Sequence, residues 1–273
     1  MEVGEALLTE TGLEFDRAWM VVDENGGFLS QRELPRMALV RPQLRLHDLV
    51  LRAPGMLALH LALDAVEAPV QVTLWDETVK AYDMGDIAAQ WFSDFLNTDA
   101  DGRRAGARKL RLVRFDPAQK RLSSFKWTGG LEAENQFNDG YPVLVASEAS
   151  LEGLNARLVA AGCEAVGMER FRPNIVLSGV EAHDEDRLDE LHIATAQGLA
   201  RLKMVKPCPR CPIPNVDPAT GVSSPEVGDT LQAYRQLPVL GGAVAFGMNA
   251  IVREGMDFML RTGQGAAADY RFD

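Results

Sequence analysis

Residues 206–214 read Lys206-Pro207-Cys208-Pro209-Arg210-Cys211-Pro212-Ile213-Pro214, four prolines and two cysteines in nine positions. No other stretch restricts the backbone as much. Each proline fixes its own φ, removes an amide donor and biases the preceding residue toward extended conformations. A helix is therefore excluded, and a central strand is not expected. The spacing predicts a rigid loop that holds two thiols and a guanidinium in set directions, directly after an apolar strand.

The Cys-Xaa-Xaa-Cys pair has three chemical readings. Half of a structural zinc site needs a second pair, yet Cys163 stands alone and the four histidines are not at finger spacing. A redox dithiol needs a helix N-terminus, which Pro212 and Pro214 make hard to build. A single thiolate ligand for a soft metal needs only the rigid loop, with Arg210 beside it to stabilise charge on sulfur. Hydrolytic zinc, nucleophile-elbow, P-loop and dinucleotide-binding motifs are all missing from the sequence.

The 273 residues carry a net charge of −11, which argues against a nucleic-acid partner. One segment departs from that average. Residues 101–126 hold nine Lys or Arg against two Asp, a local +7 that leaves −18 elsewhere. It reads either as a solvated linker face or as an attractor for a small phosphorylated ligand. Three cysteines are too few for a disulfide framework. With no apolar run of bilayer length and no signal-peptide pattern at Met1-Glu2-Val3-Gly4-Glu5, the expectation is a cytoplasmic protein without a membrane partner.

The fold class expected is α+β, mainly β. Alternating apolar residues predict strands at 18–23, 28–30, 38–46, 48–52, 70–75 and 78–82, with a Gly-containing turn at Glu24–Gly27. Ile87, Ala88, Trp91, Phe92, Phe95 and Leu96 recur at helical spacing, with Asp83 or Gly85 as the start. Strands follow at 110–115, 141–146 and 174–178, with two more between Leu191 and Val205. Ser147 is placed to cap a helix carrying Leu151, Leu154 and Leu158 on one face. The domains expected are 1–115 and 116–262, with 263–273 as a weakly ordered tail.

Beyond these local patterns lies a resemblance. Cys208–Cys211 with Val216-Asp217-Pro218-Ala219-Thr220-Gly221, Leu231 to Arg235, Phe246-Gly247-Met248-Asn249, Ser147–Leu151 and Arg170-Phe171-Arg172-Pro173-Asn174-Ile175 resembles the MOSC domain, the C-terminal domain of molybdenum cofactor sulfurase. Gly12–Trp19 and Gln31–Arg36 resemble the β-barrel-like domain that precedes it in amidoxime reducing components and their bacterial relatives. The resemblance implies an N-terminal β-barrel-like domain and a C-terminal MOSC β-barrel with peripheral helices. It also implies a molybdenum cofactor (Mo-molybdopterin) and reduction of small N-hydroxylated compounds.

By the same resemblance Cys211 is the catalytic metal ligand, with Cys208 as the alternative, and Arg17, Arg172, Asn174, Pro209 and Arg210 contact the cofactor. Read without it, Arg17 is a strand-edge charge beside Asp16, Asn174 a turn residue, and Cys163 a partly buried packing residue. Members usually open with a strand ending in a Lys-Ser pair, which this chain begins too late to contain, so weaker cofactor retention and an exposed strand edge are expected. No cysteine follows Cys211, so an iron–sulfur domain is not expected and electrons come from an external electron-transfer protein, for which the acidic surface is a docking face. The rival function is a non-redox carrier of cofactor or of persulfide sulfur.

Overall fold

The computed structural model describes residues 3–65, 68–99 and 103–271. In chain order the strands and helices are β1 (Glu5–Thr9), β2 (Gly12–Leu13), β3 (Trp19–Asp23), β4 (Arg41–Leu44), β5 (Asp48–Arg52), β6 (Leu59–Ala62), β7 (Ala68–Leu74), β8 (Glu77–Asp83), α1 (Gly85–Leu96) and β9 (Leu110–Phe115). There follow α2 (Phe125–Thr128), β10 (Val143–Ser147), α3 (Glu148–Ala160), β11 (Ile175–Leu177), β12 (Leu188–Thr195), β13 (Gly198–Pro209) and α4 (Glu226–Tyr234). The chain ends with β14 (Gln236–Leu237), β15 (Ala243–Glu254), β16 (Met259–Arg261) and β17 (Ala266–Tyr270). The fold is α+β and mainly β, as expected.

Two compact units form, and neither is continuous in sequence. One is drawn from 17–120 and 216–223, the other from residues up to 16, 121–215 and 224 onward.

The first unit contains an antiparallel sheet in the order β3-β9-β8-β7 and a meander β4-β5-β6. Helix α1 buries Ala88, Trp91, Phe92, Phe95 and Leu96 in a cluster with Leu49, Leu51, Leu59, Leu61, Leu110 and Leu112. Each buried Leu or Phe here contributes about 1.5–3 kcal/mol through removal from water. The helix start is fixed by Asp83, whose Oδ1 accepts the Gly85 amide at 2.7 Å. Burial raises the Asp83 pKa, but hydrogen bonds from Arg111 and that amide hold it below the ordinary value.

Two strand expectations are corrected here. Phe28–Ser30 makes only a bridge between Val22 and Phe28, because Ser30 donates from N and Oγ to Glu33 Oε2 (2.9 and 2.6 Å) and bends the chain. The strand expected from Ala38 begins at Arg41, since Pro35 opens a 3₁₀ turn that runs to Leu39. Asp217–Gly221 forms a turn, in which the Gly221 amide donates to Asp217 O at 2.7 Å.

The second unit is built on a seven-stranded sheet along the path β11-β10-β15-β13-β12-β17, with β14 paired to β15. Only β10 and β11 are parallel. A small sheet β16-β1-β2 belongs to the same unit. Along β10, Val143 and Val145 join Leu8, Leu188, Leu191, Leu202, Met204 and Met248 in one cluster, whereas Ala146 joins Leu154, Leu158, Phe171, Val227, Leu231 and Phe246 in another. That alternation is the period-two rule of a strand buried on both faces. Ser147 caps α3 by accepting the Ser150 amide at 3.1 Å.

In two places this unit departs from sequence reasoning. Residues 263–273, expected to be weakly ordered, contain β17, which pairs antiparallel with β12 from Leu188↔Tyr270 to Ile193↔Ala266. And β13 runs through Pro207 and Cys208 to Pro209 as an interior strand, rather than stopping before the prolines. The register between β13 and β15 shifts at Met204/Lys206 and at Pro207/Pro209, so the prolines sit at bulges where a ladder donor is not needed.

Candidate cofactor site at the thiol loop

Between the pairs Pro207↔Met248 and Pro209↔Ala245, one residue of β13 stands opposite two of β15, Phe246 and Gly247. That one residue is Cys208. Gly247 has φ +77°, and a Cβ there would lie 2.7 Å from Val145 O. Glycine is thus required at the bulge, which re-aims the strand just before the thiols.

Beyond Pro209 the ladder continues with the Arg210 amide on Val244 O at 2.8 Å, and the chain then turns away. The Arg210 side chain folds back across its own loop. Its Nη1 lies 3.2 Å from Cys208 Sγ, its Nη2 donates to Phe171 O at 3.2 Å, and the guanidinium stands 5.4 Å from the Phe171 ring centroid. Phe171 in turn stacks on Phe246 with centroids 4.0 Å apart.

Arg170 secures the far side of the loop, its Nη1 3.3 Å from both Pro214 O and Asn215 O. The segment 170–172 and the segment 208–215 are therefore laced together from both ends. Arg172 adopts φ 55°, a left-handed conformation that is uncommon for a residue with a side chain and concentrates at binding and catalytic positions.

Asn174 links three segments. Its backbone amide donates to Leu144 O (2.8 Å), its Oδ1 accepts the Leu144 amide (2.9 Å), and its Nδ2 donates to Asp16 Oδ2 (2.8 Å). It does more than the turn residue its sequence context suggested, and one N–H of its amide stays available. Arg17, with φ 54°, follows Asp16 but belongs to the other compact unit. Cys208 and Cys211 are free and half-buried, and so is Cys163, which packs in the α3/α4 cluster as expected. Cys208, Pro209, Arg210 and Cys211 are thus gathered with Arg172 through Phe171.

The residues present fit a soft-metal cofactor with an anionic tail. Two free thiols meet the need for sulfur donors. Arg210 Nε is buried without a hydrogen-bond partner, a donor left over in the clamp. Three of the nine cations of the basic segment are engaged elsewhere: Arg111 pairs with Asp83 and Asp86, Arg114 donates to Leu63 O, and Arg121 is buried on Asn135 and the carbonyls of Gln136 and Asn138.

Sequence reasoning missed a second polar cluster behind Phe246. Glu185, fully buried, receives the hydroxyls of Ser147 and Ser150 on its two oxygens at 2.8 and 2.6 Å. Burial raises its pKa, against those hydrogen bonds. Arg235 Nη2 donates to Asp186 Oδ2 at 2.6 Å. His183, left-handed with φ 66°, packs edge-on to Phe246 and beside Tyr234, and neither of its ring nitrogens has a partner. The sequence shows only the acidic run Asp184-Glu185-Asp186, and its pairing with serines 35 and 38 residues away is set by the fold.

Residues 1–99 match the MOSC N-terminal beta barrel domain and residues 132–265 match the MOSC domain. The chain belongs to the MOSC-domain family. Within it, the chain is 37% identical over 246 residues to mitochondrial amidoxime reducing component 2 of Rattus norvegicus, spanning 86% of this chain and 68% of the relative. Against the Homo sapiens component 2 the identity is 36% over 242 residues, 85% of this chain and 67% of the relative. Against component 1 of Mus musculus it is 33% over 275 residues, 93% and 76%. These matches support a function of the molybdenum-cofactor type. No helix among the described residues is long and apolar enough to cross a membrane.

Proposed function

We propose that this chain is a molybdenum-cofactor-dependent reductase of N-hydroxylated compounds, supplied with electrons by a separate protein. The observation that carries the reading is the Arg210 clamp, which ties the thiol loop to the left-handed Arg172 segment and leaves a buried donor unused. The relatives named for amidoxime reduction supply the substrate class.

In this reading Cys211 is the thiolate that holds the metal, and Arg172 and Arg210 meet the negative charge of the cofactor's tail. Arginine suits that task because its planar fork pairs with phosphate through two parallel hydrogen bonds. Cys208 stays on Arg210, so the guanidinium keeps a fixed direction, and Asn174 holds Asp16 and Leu144 in register. Such second-layer contacts set ligand orientation at metal sites. When bound, the molybdenum group would supply two-electron redox chemistry.

The test is expression in a host that makes the cofactor, followed by molybdenum analysis and reduction of an amidoxime with an added donor. Cys211→Ala removes molybdenum-dependent turnover while the melting temperature stays close to wild type, because a half-exposed thiol contributes little buried area. Activity kept in Cys211→Ala and lost in Cys208→Ala reverses the ligand assignment. Labile sulfane sulfur without stoichiometric molybdenum supports the carrier reading instead.

A further inference from the structure

Away from the thiol loop, the outer face of β12 carries Glu190 and His192, two positions apart, and β17 sets Asp269 opposite Glu190. His192 Nε2 lies 3.0 Å from Asp269 Oδ2 and 3.9 Å from Glu190 Oε2, and the three ligand atoms lie within 4.8 Å of one another. A tetrahedral ion with bonds of about 2.0–2.2 Å holds its donors about 3.3 Å apart, so small side-chain rotations suffice to close the set.

Charge balance supplies an independent reason. Two cations stand across from these residues on β13, Arg201 opposite His192 and Lys203 opposite Glu190. Both are already engaged: Arg201 faces Glu254 at 3.2 Å and Lys203 donates to Asp189 at 2.9 Å. Glu190 and Asp269 are left to share a single imidazole. Two carboxylates this close repel one another, and a dication offsets both at once.

We propose that Glu190, His192 and Asp269 form a binding site for a divalent transition cation of the zinc type, with water completing its shell. The imidazole nitrogen selects against magnesium and calcium, which take oxygen ligands. The frame is rigid because β12 is an interior strand. The consequence is mechanical: the ion pins β17, the edge strand of the sheet, to its neighbour.

The experiment is a Zn(II) titration of the full chain, freed of metal by a chelator that is then removed, read by competition with a chromophoric chelator. The thiols of Cys163, Cys208 and Cys211 are the same in every sample, so the difference between variants isolates this site. Wild type is expected to take up one more equivalent than His192→Ala, and its melting temperature rises with zinc where that of His192→Ala does not. Asp269→Asn changes an exposed group, so it folds in any case, and weakens the extra site by about tenfold or more. Equal stoichiometry and equal affinity in wild type and Asp269→Asn overturn the proposal, including the case in which zinc binds the thiols only.

Discussion

His183 makes the stability of the second unit acid-sensitive in a way that one substitution removes. Burial, then the nearby Arg235 and Arg157, push its pKa down from 6.5 to about 4. The unfolded chain therefore takes up the proton first as pH falls. The contribution is intact above pH 6.5, is lost progressively below it, and is fully lost near pH 4. For a shift of this size, linkage gives a loss of about 2 kcal/mol between pH 7.5 and pH 5.0. The residue as a whole is only part-buried, which reduces that to about 1 kcal/mol. His183→Phe keeps the ring contacts with Tyr234 and Phe246 and cannot be protonated. Urea unfolding at the two pH values should show wild type losing about 1 kcal/mol more than the variant, the carboxylates being common to both. Equal losses would refute the assignment of His183 as a group held neutral by its surroundings.

Two further outcomes follow from the packing around the site. Ser147→Ala deletes both the cap of α3 and a hydroxyl on buried Glu185, and should cost about 2–4 kcal/mol in urea unfolding, whereas a loss near zero would show that Glu185 needs no second donor. Gly247→Ala forces a left-handed residue and a Cβ against Val145 O; a cost of about 2–4 kcal/mol is expected, and an unchanged urea midpoint would mean the bulge opposite Cys208 is not required.

Strands with regular alternation were legible: Asp48–Arg52 is a strand with the same bounds in sequence and structure, and 110–115 likewise. So was the Ser147 cap, since its partner lies three residues away. Residues 243–254 were not legible as the long strand β15, because Ala, Gly and Asn interrupt the apolar pattern and its pairing is set by β13 and β10, far off in the chain. The same holds for β17, an Ala-rich strand whose partner is β12. Helical spacing and strand alternation are local signals, whereas edge pairing and bulges are decided by the partner strand.

The site divides along the same line. Its candidate residues could be picked out by type, because two thiols and an arginine among prolines have few uses. Its geometry was not, since nothing in the letters of Arg170-Phe171-Arg172 says that the first arginine braces Pro214 and Asn215 while Arg210 reaches back to the Phe171 carbonyl. The prolines explain why such bracing is needed. They leave the 207–214 backbone short of amide donors, so beyond the Arg210 amide on Val244 O the loop depends on guanidinium groups that donate to its carbonyls and its sulfur. An arginine that holds the loop in this way is spent on structure at some of its N–H groups. What Arg210 offers a ligand is the remainder, chiefly the buried Nε, which has no partner within the protein.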